Sequence, residues 1–190
     1  MTFQEYSDYF QQIISNSINE QLPPYTKEGY LEYTQHNWEQ MNRWFNETHE
    51  LAAPLRKALE NIKSPQQWIL ITEPWCGDAA HNIPFIEMAA RTNPLITLLY
   101  ELRDAEPNRI NLYLTNGGKS IPKLVIKNAN GTDLAQWGPR PADCQKIYSD
   151  LANEKASFDK IKTSILNWYD ANKGRDIQNE LTELLSTIVE

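Results

Sequence analysis

The chain has 190 residues, of which 41% are hydrophobic and 23% charged, a globular balance that excludes a disordered chain. Its formal charge of −7 argues against a nucleic-acid or anionic-membrane partner, since either needs a basic face to displace counterions. Two cysteines, Cys76 and Cys144, are too few for a disulfide-stapled scaffold, and their spacing fits no zinc site.

Met1 to Tyr6 shows no basic stretch followed by an apolar one, so no secretory signal is expected, and no apolar run is long enough to span a bilayer. A cytoplasmic location is the expectation. Phe3, Tyr6, Phe10, Ile13, Ile14 and Ile18 recur at helical spacing and predict a first helix that ends before Pro23-Pro24. Tyr30, Tyr33, Asn37, Trp38, Met41, Trp44 and Phe45 predict a second, aromatic-rich helix that docks on a broad surface. Leu51, Leu55, Ala58, Leu59 and Ile62 predict a third, stopped by Ser64-Pro65.

The pattern then changes. Trp68-Ile69-Leu70-Ile71-Thr72 is a continuous β-prone run, as in a strand buried on both faces. His81 to Arg91 reads as a helix, Leu95 to Leu102 as a second buried strand and Glu106 to Leu114 as another helix, which implies a parallel βαβ unit. Lys123 to Lys127 and Asp133 to Trp137 flank the turn signal Asn130-Gly131 and predict a hairpin, so the sheet is mixed. Helices follow at about Ala142 to Asn153, Phe158 to Asn172 and Ile177 to Ile188. The predicted class is α/β: an N-terminal helical extension over 1–64, a strand-bearing domain over 65–152 and C-terminal helices over 153–190 packed on the same body.

The order strand, Trp75-Cys76, helix, strand, helix, Ile121-Pro122, hairpin, helix resembles the thioredoxin superfamily. Cys76 falls between strand and helix with Trp75 before it and Gly77 after it. Pro84, eight residues on, matches the family's helix-kinking proline. Ile121-Pro122 matches its cis-proline, and Gly138 its substrate-groove glycine. The sequence looks closest to a bacterial branch bearing Trp75-Cys76-Gly77-Asp78-Ala79 and Gly-Gly-Lys-Ser-Ile-Pro, with the flanking helices belonging to that branch. The resemblance implies a thioredoxin-like fold, a catalytic Cys76, and a substrate groove formed by Trp75, Gly77, Asp78, Ala79, Ile121, Pro122 and Gly138. It implies no metal and no cofactor. Its partners would be proteins or low-molecular-weight thiols and disulfides.

Two departures bear on function. Ala79 replaces the second cysteine of the CxxC pair, and Leu70 stands where the family usually has a buried acid. Cys76 can therefore attack a disulfide but finds no local thiol to resolve the adduct. A small external thiol, another protein or Cys144 would have to do so, and Cys144 reads better as a packing residue on a helix face. A cysteine in the first helical turn meets free backbone N–H groups and the positive end of the helix dipole, so Cys76 is expected to be more acidic than a free thiol. Asp78 opposes this by like charge but suits a first turn, whereas Lys119 and Arg140 could offset it.

Gly117-Gly118-Lys119-Ser120 lacks the earlier glycine and following helix of a phosphate loop. His36, His49 and His81 are too scattered for a metal site and suit surface or packing roles. The sequence reading is a monothiol oxidoreductase or redox sensor working through Cys76. Its rival is a redox-silent binding module that keeps the groove, followed by a thiol peroxidase.

Overall fold

The computed structural model describes residues 1–188. Seven α-helices and four strands follow in the order α1 (Phe3–Ser15), α2 (Tyr30–Glu47), α3 (Ala53–Glu60), β1 (Gln66–Thr72), α4 (Gly77–Thr92), β2 (Ile96–Leu102), β3 (Lys123–Asn128), β4 (Asp133–Trp137), α5 (Ala142–Asn153), α6 (Phe158–Asn172) and α7 (Arg175–Ser186). The strands form one mixed sheet in the order β2-β1-β3-β4, with β1 parallel to β2 and antiparallel to β3. Trp68 thus faces Leu98 on one side and Ile126 on the other. This is a thioredoxin-like α/β fold with extra helices at both ends.

β1 and β3 are central because they have no polar face to offer water. Trp68, Ile69, Leu70 and Ile71 on β1 and Leu124, Val125 and Ile126 on β3 are all buried. The same core takes in Tyr6 and Phe10 of α1, Leu55 and Leu59 of α3, Ile83 and Phe85 of α4, and Ile177 and Leu181 of α7. The flanking helices therefore share one core with the sheet. α2 packs against α4, α3 against α4 and α7, and α5 against α6.

Local chemistry sets the ends of these elements. α1 opens on a capping box, in which Glu5 N–H donates to the Thr2 hydroxyl and Thr2 N–H donates back to the Glu5 carboxylate. It stops at Ser15, short of Ile18, which is 52% exposed in a separate 3₁₀ turn and gains nothing from continuing the helix. The β3–β4 hairpin turns on Gly131, at φ +80°, with the Asn128 side chain accepting from the N–H groups of Asn130 and Thr132.

The helix predicted over Glu106 to Leu114 does not form. A single 3₁₀ turn, Arg109–Leu112, stands in its place, preceded by Asn108 in the left-handed region. Only Ile110 and Tyr113 are buried, while Leu112 and Leu114 are 76% and 45% exposed. One buried pair three residues apart anchors a turn but supplies no helical face. The connection from β2 to β3 is therefore a loop.

Candidate functional site

Cys76 caps the N-terminus of α4 at the end of β1. Its N–H donates to Glu73 O at 3.0 Å, and its own carbonyl accepts the first helical bond from Ala80. Across from it, the Ile121–Pro122 bond is cis, and the Cys76 thiol donates to the Ile121 carbonyl at 3.3 Å. Gly138 closes the third side at φ +114°, where a Cβ would lie 2.2 Å from the Pro122 carbonyl oxygen, so only glycine fits. The chain thus brings Cys76, Ile121-Pro122 and Gly138 to one place from three segments. Ala79, one turn into α4, is buried and places a methyl group where a resolving thiol would stand.

A cleft of about 840 Å³ opens in front of the sulfur. Trp75 forms part of its wall, near the Tyr30 ring and under the Arg103 guanidinium at 4.5 Å. Arg103, Lys119 and Arg140 line it from within the β1–α5 segment, and two further walls come from outside that segment. α2 supplies Tyr30 and Tyr33, and α6 supplies Ile161, Lys162 and Ile165. Tyr33 lies so close over Gly77 that a Cβ there would meet its hydroxyl at 2.2 Å. Asn37, also on α2, donates to Pro74 O at 3.0 Å and ties that helix to the loop before the cysteine.

Asp78 does not act as a free helix-start charge. Arg140 grips it through two bonds, Nε to Oδ1 at 2.8 Å and Nη2 to Oδ2 at 2.6 Å, and the Tyr169 hydroxyl donates to Oδ1 at 2.9 Å. Asn82 donates in turn to the Tyr169 hydroxyl. Burial raises the Asp78 carboxyl against the pull of Arg140 and Tyr169. For Arg140, burial works against the charge, but Asp78 and Tyr169 more than restore it. Lys119 lines the cleft from an exposed loop.

These surroundings overturn the expected acidity of Cys76. Its residue is 7% exposed, and the thiol is pushed up to about 12, first by burial and then by the charge of Asp78. The Ala79 and Asp78 N–H groups and Arg140 act in the opposite direction and are outweighed. A helix start favours thiolate only where water or a cation shares the charge, and here the sulfur is almost wholly buried. Cys144 is fully buried against Ile165 and Tyr169, as a packing residue would be, and burial pushes its thiol up to about 12 as well. Both cysteines are free.

His81 is buried inside α4, accepts from Trp44 Nε1 at Nδ1 and stacks on Tyr169 at 4.3 Å. Burial drives its pKa down to about 3, so it is a neutral packing residue whose remaining proton sits on Nε2. Among the described residues no three His, Cys, Asp or Glu side chains cluster as a metal site would require. No helix among them is long and apolar enough to cross a membrane. The site also holds groups that sequence reasoning left out. Glu73 is a buried acid three residues before Cys76, its carboxyl raised by burial to about 7. Tyr33 joins the cleft from an aromatic stripe that reads as packing, Lys162 from a helix face that reads as solvated, and Arg103 from the turn after β2.

A mixed sheet with a cysteine at its strand-to-helix corner, facing a cis-proline, defines a thioredoxin-like protein with one cysteine at the site. The chain belongs to the thioredoxin family, whose model Thioredoxin_9 matches residues 24–156, a span that includes α2 as well as the sheet. Among solved structures, a protein of unknown function from Pseudomonas aeruginosa is similar over 100% of this chain and 99% of its own, at 15% identity and a TM-score of 0.61. An HIV epitope-scaffold is similar over 94% of this chain and 98% of its own, at 16% identity and a TM-score of 0.58. These likenesses concern the fold. No curated protein matches the chain.

Proposed function

We propose that the protein is a monothiol exchange protein that forms mixed disulfides at Cys76 by exchange with low-molecular-weight disulfides bound in the cleft, and is released from them by low-molecular-weight thiols. The observation that carries this reading is the sulfur itself, which lines an 840 Å³ cleft between Trp75 and Ile121 with the methyl of Ala79 in place of a second thiol. That volume suits a small ligand. A folded protein partner would have to pass the walls made by α2 and α6. A reducing compartment such as the cytoplasm suits a chain that keeps both thiols free.

In the forward step the Cys76 sulfur attacks one sulfur of a bound disulfide. The Cys76 S–S bond forms, the ligand's S–S bond breaks, and the thiol proton passes to the departing thiolate. A second small thiol then attacks the ligand sulfur of the adduct, which frees Cys76 and releases a new disulfide. Because the thiol rests protonated, exchange with unbound disulfides is slow, and occupancy of the cleft sets the rate. The burial of Cys76 also favours a second reading, a redox-silent binding module that uses the same cleft without chemistry.

Incubation with oxidised glutathione followed by intact mass measurement separates the two. Monothiol exchange yields one adduct on the wild type and none on Cys76→Ser. A wild type that stays unmodified after the disulfide has reacted fully with a control thiol leaves only the binding module. Loss of about two mass units without an adduct would instead join Cys76 to Cys144.

A further inference from the structure

We infer that the ligand of this cleft is anionic, a small thiol or disulfide bearing carboxylates or equivalent negative groups. The inference rests on the exchange reading above and names its substrate class. In a chain of net charge −7, the cleft is lined by four cations, Arg103, Lys119, Arg140 and Lys162, against two carboxylates, Glu28 and Asp78. Asp78 is already consumed by Arg140 in the two-bond pair. Arg103 lies over Trp75, and its ion-pair partner Asp104 is outside the lining.

Lys119 and Lys162 make no ion pair among the described residues. The Lys162 ammonium rests 4.4 Å above the Tyr33 ring, the same ring whose hydroxyl covers Gly77, so this charge is held on the wall next to the cysteine. A cleft with apolar walls focuses such charge, and it does so here against the sign of the whole molecule. A neutral ligand would leave both ammonium groups without a counter-charge. A dicarboxylate meets them while its sulfur reaches Cys76.

Three small disulfides of different charge test this: 3,3′-dithiodipropionate (dianionic), bis(2-hydroxyethyl) disulfide (neutral) and cystamine (dicationic). The rate of Cys76 adduct formation for each is divided by its rate with free 2-mercaptoethanol at the same pH and low salt. The normalised rate for the dianion should exceed that for the neutral disulfide by roughly three- to tenfold, as expected for two partly exposed charge pairs, with the dication slowest. The preference should shrink at about 0.5 M NaCl and in the Lys119→Gln, Lys162→Gln double variant. Equal or reversed rates, or a preference unchanged in the double variant, would overturn the inference while leaving exchange intact.

If no disulfide forms an adduct, the exchange reading fails instead. The unreactive thioethers 3,3′-thiodipropionate and thiodiglycol then read the charge preference by ligand-observed NMR. Binding of the dicarboxylate alone upholds the anionic cleft. Equal binding of both, or binding of neither, overturns it.

Discussion

The charge on Asp78 is one of two factors that keep Cys76 protonated, and replacing it should release the thiol. With a pKa of about 12, the thiolate fraction at pH 8 is on the order of one in ten thousand. Asp78→Asn keeps the size of the side chain and an oxygen for Tyr169, but it removes the like charge and leaves Arg140 unmatched beside the sulfur. Both changes favour thiolate. A neighbouring charge shifts a thiol by on the order of one to three pKa units, and burial remains in force in the variant, so the low end applies: about tenfold faster alkylation at pH 8. The same substitution breaks a pair whose side chains are only 11% and 17% exposed, at a cost of about 2–4 kcal/mol. Unfolding alone would also expose the thiol. The assay is therefore iodoacetamide labelling in a Cys144→Ser background, with near-UV circular dichroism confirming native packing. Arg140→Met is the opposite perturbation and should slow labelling, an effect that unfolding cannot imitate. Unchanged or slower labelling of natively packed Asp78→Asn, or faster labelling of natively packed Arg140→Met, would refute the electrostatic account.

Three further outcomes follow from the geometry around the cysteine. Glu73 has its carboxyl raised from an ordinary 4.5 to about 7, so the folded state holds its proton more tightly than the unfolded chain. Its stabilising contribution is complete below about pH 4.5 and is lost as the pH rises through 7. The shift corresponds to at most about 3 kcal/mol, and solvent screening reduces this to about 1–2 kcal/mol. Urea unfolding at pH 5 and pH 8 should show the wild type losing that much relative to Glu73→Gln, and parallel behaviour of the two proteins would contradict it. Gly138→Ala drives a Cβ into the Pro122 carbonyl at a left-handed φ and should cost about 2–4 kcal/mol in the same assay. Gly77→Ala meets the Tyr33 hydroxyl and should cost about 1–3 kcal/mol, with more than half recovered in a Tyr33→Phe background. Additive costs would show that the two residues do not press on each other.

The sheet was legible because Trp68 to Thr72 and Lys123 to Lys127 lie in segments with almost no polar face, and the helices because their apolar residues keep step with 3.6. The segment Glu106 to Leu114 misled because the alternation of strand and helix predicts a helix there, yet Leu112 and Leu114 face solvent and leave no apolar face to bury. The site divides in the same way. Cys76, Ile121, Pro122 and Gly138 were placed by the resemblance to the thioredoxin superfamily, whose motifs tie each to a corner where a strand starts or stops. The acidity of Cys76 could not be placed in this way, because the helix start is local whereas burial is the work of distant residues. Tyr33 sits in an aromatic stripe that reads as core, and Lys162 on a helix face that reads as solvated. In the folded chain they meet over Gly77.

That meeting links the two proposals. Tyr33 of α2 lies over the helix start beside the buried sulfur, and Lys162 of α6 rests on the same ring at the entrance to that sulfur. A negative ligand entering between them satisfies Lys162 and brings its own sulfur to Cys76 without a charge having to form there beforehand. Protonation of the resting thiol and preference for an anion are thus two effects of one wall. A wall variant such as Tyr33→Ala should weaken both together, speeding iodoacetamide labelling of Cys76 while reducing the advantage of the dianionic disulfide over the neutral one. If labelling speeds up and the charge preference stays whole, the two properties have separate origins and the wall is only a shield.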